Sequence, residues 1–112
     1  MESRGLLELG PVAVDLDAQS VQRSDGETVL LSALEVDLLE VLVAHRGETV
    51  ARRRLVNEVL ADHRHRMSRA LDHAIVRLRQ KIEVDPMKPR WLITVRTAGY
   101  RLEANARSDT PL

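Results

Sequence analysis

From Ser68 to Ile82 the sequence runs Ser-Arg-Ala-Leu-Asp-His-Ala-Ile-Val-Arg-Leu-Arg-Gln-Lys-Ile. Leu71, Ile75, Leu78 and Ile82 recur at the spacing of one helical face. Ser68 is a favourable N-cap, and Asp85-Pro86 cannot continue a helix, so the pattern predicts a helix over about 68–83. Turning the apolar stripe inward fixes the roll of this helix. Arg69, His73, Val76, Arg77 and Gln80 then face outward, and Arg79 lies to one side.

Upstream, Ser32 with Glu35 three residues later makes a capping box, and Leu34, Leu38, Leu39 and Leu42 follow at helical spacing. Gly47 supplies a left-handed stop, which predicts a first helix over Ala33 to Arg46. A shorter second helix is expected from Arg52 to Leu60, burying Leu55, Val59 and Leu60. Arg52, Arg53 and Arg54 crowd its first turn, where the helix dipole favours acids. A phosphate, or an acidic side chain from the N-terminal half, would offset that penalty. Residues Ala61 to Arg66 have no apolar period and read as a polar loop.

Downstream, Trp91 to Val95 reads as a strand, Gly99 as a turn, and Tyr100-Arg101-Leu102 as the returning strand. The first thirty residues alternate and turn: Val12 to Leu16 has period two, and Asp25-Gly26 suits a tight hairpin. They predict a meander of three or four short strands. The expected fold is therefore α+β: a small N-terminal antiparallel sheet, three helices, and a C-terminal β-hairpin wing. That is the layout of a winged helix-turn-helix. The division is 1–31 for the strands, 32–83 for the helices, 91–102 for the wing and 103–112 for a tail, within one domain spanning 1–112.

Charge is unevenly spread along this neutral chain. Residues 1–50 hold 3 Lys and Arg against 10 Asp and Glu, whereas residues 51–101 hold 13 against 5. The basic half suggests a surface for a polyanion, although two halves that neutralise each other within one fold would read the same way. Helix, loop and hairpin are all basic together, which favours the polyanion. On the outer helix face, Arg69 and Arg77 suit phosphates or the guanine edge, Gln80 suits adenine, and Val76 a thymine methyl. Arg79 is better aimed at the backbone, and Thr94, Arg96 and Thr97 of the hairpin suit phosphate or the minor groove. Trp91 and Tyr100 are read as core residues rather than base-stacking platforms.

Three segments together also resemble a known family. Leu31 to Leu39, then Leu71-Asp72 with Ile75 to Ile82, then Thr94-Val95-Arg96 followed by Gly99-Tyr100-Arg101-Leu102 are similar to the DNA-binding effector domain of OmpR/PhoB-type bacterial response regulators. The resemblance covers about Leu31 to Leu102. It implies a regulator of two-component systems that binds duplex DNA at direct repeats, with the third helix in the major groove and the wing in the adjacent minor groove. It also implies pairing of copies on tandem half-sites. By the same resemblance, the loop holding His63, Arg64, His65 and Arg66 corresponds to a segment some members use to touch RNA polymerase. Val36, Ala70, Ala74 and Val76 stand where the family often has aromatic or polar residues, so the recognition face has fewer hydrogen-bonding groups than usual. A second reading therefore stays open at this point, a protein-interaction module whose apolar patch is Val76, Ala70 and Ala74.

Other chemistries have little support in the sequence. There is no cysteine for a disulfide, a thiolate or a zinc-thiolate site. His63, His65 and His73 lack the further ligands of a metal set, so no metal or cofactor is expected. No phosphate-cradling glycine loop or nucleophile elbow is present, and no enzyme is predicted. No apolar run approaches the roughly 20 residues of a membrane span, and a cytoplasmic location is expected. The usual receiver module needs another hundred-odd residues, so 112 residues leave no room for one.

Overall fold

The computed structural model describes residues 5–60 and 68–103. Four strands open the chain: β1 (Leu6–Leu9), β2 (Val12–Asp15), β3 (Ser20–Gln22) and β4 (Thr28–Leu30). They form an antiparallel sheet in sequence order. Its register explains why alternation was the signal. Leu7, Val14, Val21 and Val29 pair across the four strands as one inner row, and Leu6, Asp15, Ser20 and Leu30 as an outer row. A shift by one residue would exchange the two rows. The turns are held locally. Asp15 Oδ1 accepts from the N–H groups of Asp17 and Ala18, both at 3.0 Å, and Asp25 Oδ1 accepts from that of Glu27 at 2.9 Å.

Helix α1 (Ala33–Ala44) carries the expected capping box: Ser32 Oγ accepts from Glu35 N–H at 3.1 Å, and Glu35 Oε1 accepts from Ser32 N–H at 2.9 Å. It stops two residues before Arg46. His45 leaves helical geometry, and Gly47, at φ +84°, donates its N–H to the Leu102 carbonyl at 2.9 Å instead of closing the helix. That bond steers the chain into a strand absent from the sequence reading, β5 (Val50–Ala51).

Helix α2 (Arg52–Leu55) follows directly and continues as a π-helical stretch over Val56–Leu60. Its start has no side-chain cap, as Ala51 implies. Helix α3 (Ser68–Ile82) ends one residue before the expected Glu83. Strands β6 (Leu92–Val95) and β7 (Gly99–Leu102) make the wing hairpin, and β5 pairs with the other edge of β7. The wing is thus a three-stranded sheet in the order β5-β7-β6 rather than a lone hairpin. Gly99 begins β7 instead of forming the turn, and glycine is needed there because a Cβ would lie 2.0 Å from the Val50 carbonyl oxygen of the paired β5.

One aliphatic core joins these layers. Leu9, Val14, Val21, Leu38, Leu39, Leu42, Leu55, Leu60, Leu71, Leu78, Ile82, Leu92 and Leu102 are fully or almost fully buried in it. Each buried Leu of this kind contributes about 1.5–3 kcal/mol. Tyr100 is buried and Trp91 half-buried, as expected of core residues. The Trp91 ring lies 3.0 Å from where a Cβ on Gly10 would stand, so this turn needs its glycine for close approach as well as for its φ of +62°. The loop from 61 to 67, including His63, Arg64, His65 and Arg66, lies outside the described residues, as do the tail beyond 103 and the Ser68 side chain. Among the described residues no helix is long and apolar enough to cross a membrane.

Candidate nucleic-acid interface

Helix α3 buries Leu71, Ala74, Ile75, Leu78 and Ile82 and exposes Arg69, His73, Val76, Arg77 and Gln80. The roll inferred from the apolar stripe is the roll found. Among the described residues, none forms an ion pair with Arg69, Arg77 or Arg96. Arg96, Thr97 and Ala98 form the exposed tip of the wing, closed by the Ala98 N–H donating to the Val95 carbonyl at 2.9 Å. Thr97 takes φ +62°, an unusual conformation for a β-branched residue, and its hydroxyl donates to the Arg96 carbonyl.

Several contacts that the sequence did not signal hold α3 at this orientation. At its C-terminal end, Arg23 Nη1 donates to the Gln80 carbonyl at 2.5 Å, occupying an acceptor the helix leaves open. Lys81 Nζ donates to Glu35 Oε1 at 2.6 Å and to the Leu30 carbonyl at 2.9 Å. Glu35 is 2% exposed, so the capping carboxylate of α1 is also the buried partner of α3. Beyond the helix, the buried carboxylate of Glu83 accepts from the N–H groups of Arg90, Trp91 and Leu92 and closes the connection to β6.

Nearer the N-terminal end of α3, Asp72 pairs with Arg52 of α2. This pair, with Glu58 on Arg54, supplies the acids that the basic first turn of α2 requires. Both acids come from residues 51–101, not from the acidic N-terminal half that the sequence suggested. The Tyr100 hydroxyl donates to Asp72 Oδ1 at 2.9 Å. Hydrogen bonds from Arg52 and then Tyr100 hold the Asp72 carboxyl below its usual range, against the opposing effect of burial. Burial first, and then Asp72, push the Tyr100 phenol up. The Arg52 guanidinium is raised by its bond to Asp72.

Arg79 and Thr94, both assigned to the DNA backbone from sequence, meet each other. Arg79 Nη2 donates to Thr94 Oγ1 at 2.8 Å and Arg79 Nε to the Leu92 carbonyl at 3.0 Å. The apolar patch of the second reading does not form. Ala74 is 1% exposed because it lies beside Leu71, Ile75 and Leu78 on the buried stripe, and Ala70 is half-buried, which leaves Val76 at 51%. Val76 instead lines a shallow groove of about 340 Å³ with Gln80 and Met87.

This arrangement of sheet, helices and wing is found in known proteins. The family described as "Transcriptional regulatory protein, C terminal" matches residues 26–102. The chain belongs to this family. It is 41% identical over 101 residues to the sensory transduction protein RegX3 of Mycobacterium tuberculosis, a match covering 90% of this chain and 44% of RegX3. The chain thus spans less than half the length of such curated relatives. Among solved structures, the response regulator DrrB, a Thermotoga maritima OmpR/PhoB homolog, superposes with a TM-score of 0.74 at 30% identity, covering 88% of this chain and 44% of DrrB. The RstA DNA-binding domain of Klebsiella pneumoniae, solved in complex with the RstA box, gives 0.67 at 31% identity, covering 87% of this chain and 95% of RstA's. The winged-helix fold and the OmpR/PhoB resemblance read from three short segments are both upheld.

Proposed function

We propose that this chain binds duplex DNA as the effector part of a transcription regulator, with α3 in the major groove and the β6–β7 wing on the adjacent backbone or minor groove. The observation that carries the reading is the row of exposed Arg69, His73, Arg77 and Gln80 on α3 beside exposed Arg96 on the wing. Arg69, Arg77 and Arg96, without ion pairs among the described residues, are available to phosphates and base edges. Arg77 and Arg69 reach bases or phosphates, Gln80 reads adenine, Val76 rests on a thymine methyl, and His73 lies on the same exposed face. Arg96 and Thr97 touch the backbone at the wing, where Thr94 also lies. RstA, whose DNA-binding domain is solved with its box, supports this use of the fold.

On the same reading the chain acts in the cytoplasm, pairs on tandem half-sites, and meets RNA polymerase through the segment holding His63, Arg64, His65 and Arg66. Fluorescence anisotropy with a mixed-sequence duplex, titrated at several salt concentrations, tests the central claim. Affinity that falls steeply with salt is expected, with a slope of about 0.9 per phosphate contacted. No binding at low salt would remove the DNA reading.

A further inference from the structure

Arg79 is the basic residue of α3 whose polar atoms are committed inside the protein to the wing. Its guanidinium donates from Nε to the Leu92 carbonyl and from Nη2 to Thr94 Oγ1, at 3.0 and 2.8 Å, both on β6. Its carbon Cζ also lies 6.0 Å from the centre of the Tyr100 ring on β7. Seven residues earlier on the same helix, Asp72 accepts from the hydroxyl of that same tyrosine at 2.9 Å. Two side chains two helical turns apart thus hold one aromatic residue by its ring and by its hydroxyl. A planar fork that bonds a carbonyl and a hydroxyl while lying near a ring is a task for arginine, which lysine cannot reproduce.

We propose that Arg79, with Thr94 and Tyr100, is a clamp that sets the angle between the recognition helix and the wing, and that Arg79 acts on DNA as a positioning residue rather than as a phosphate contact. The proposal rests on α3 and the wing forming one DNA-contacting surface. In that surface the helix reads one groove and the wing touches the next, so the angle between them fixes whether both contacts are made together. The exposed arginines then meet the duplex in register because the Arg79 bonds to Leu92 and Thr94 hold their platforms rigid.

The test compares Arg79→Lys, Thr94→Val and the two combined. For each, amide hydrogen exchange is followed without DNA, and affinity is measured for a duplex that the unaltered chain binds. Arg79→Lys keeps the charge and Thr94→Val removes none, so neither deletes a phosphate's partner cation. The clamp predicts faster exchange through β6 and β7 in each single variant, with the amides of β2 and β3 unchanged. It also predicts affinity lower by on the order of tenfold in each, and no further loss when both are combined, as for two halves of one interaction. Wild-type affinity and exchange in Arg79→Lys would overturn the clamp and return Arg79 to the phosphates, as would losses that multiply in the double variant. Thr94→Ala, which also removes the hydroxyl that Arg79 bonds, gives the same exchange readout if Thr94→Val folds poorly. Should the unaltered chain not bind DNA, the DNA reading fails by itself, while exchange in β6 and β7 still decides the clamp.

Discussion

Arg77 and Arg79 are two positions apart in a basic helix, yet the structure uses them differently. Arg77 is exposed with no ion pair among the described residues, whereas Arg79 is bonded to β6. Replacing Arg77 by Ala is expected to leave folding intact and weaken DNA binding by about 1–3 kcal/mol if it contacts a base. Unchanged anisotropy titrations in a folded variant would take Arg77 out of the interface. A glycine supplies the complementary case. Because a Cβ on Gly99 would meet the Val50 carbonyl oxygen at 2.0 Å, Gly99→Ala must push β5 from β7. A loss on the order of 3 kcal/mol in urea denaturation is expected, and a variant as stable as its parent would contradict the β5–β7 pairing. The outward row of α3 was legible at this scale, since 3.6-residue periodicity alone decides which side chains share a face. The partners of Asp72 and Arg79 were not, because Arg52 and Thr94 are distant in sequence and no local spacing reports such a pair.

Between elements, the joint of α1 with α3 is the most instructive. A capping box ordinarily stabilises one helix end, and losing its Ser costs about 1 kcal/mol. Here Glu35 is buried and its oxygen also receives the Lys81 ammonium, so one carboxylate serves two helices. Lys81→Ala would leave that carboxylate buried without its cation and is expected to destabilise by about 3 kcal/mol, clearly more than Ser32→Ala. Thermal or urea unfolding of the two variants gives the comparison, and equal losses would mean that water replaces the lysine. The sequence motif announced the cap and the helix, while nothing in it announced the lysine 46 residues away. The short strand β5 was missed for a related reason: two residues cannot display a period, and their pairing with β7 is a tertiary event.

Across the whole molecule, Asp72 joins α2, α3 and β7 through Arg52 and Tyr100, and its ionisation should be felt in global stability. Its pKa in the folded chain lies below the ordinary 3.8. The unfolded chain therefore takes up this proton first as pH falls, and the stabilisation is full above that ordinary value and lost as pH drops through the folded value. Asp72→Asn is expected to be less stable than its parent near pH 7, with the difference shrinking below about pH 3.8. A constant difference in urea midpoints from neutral to strong acid would show that the ion pair carries none of it. Tyr100 works in the opposite direction. Its phenol is raised above the ordinary 10.0, so its contribution is present below that value and lost as pH rises through the folded value. Tyr100→Phe should therefore flatten the alkaline limb of the stability curve.

The sequence by itself determined the order of the elements other than β5, the apolar stripes of α1 and α3, the alternation of β2, and the row of α3 side chains turned to solvent. These follow from periodicity and from local turn and cap chemistry, which act over a few residues and are written consecutively in the chain. Only the tertiary structure decided that the wing has a third strand, that Ala74 belongs to the core rather than to an apolar patch, and that Arg79 faces the wing while Arg77 faces outward. Those outcomes depend on which distant segments the packed core brings within hydrogen-bonding reach, and a contact of about 3 Å between residues far apart in sequence leaves no periodic trace.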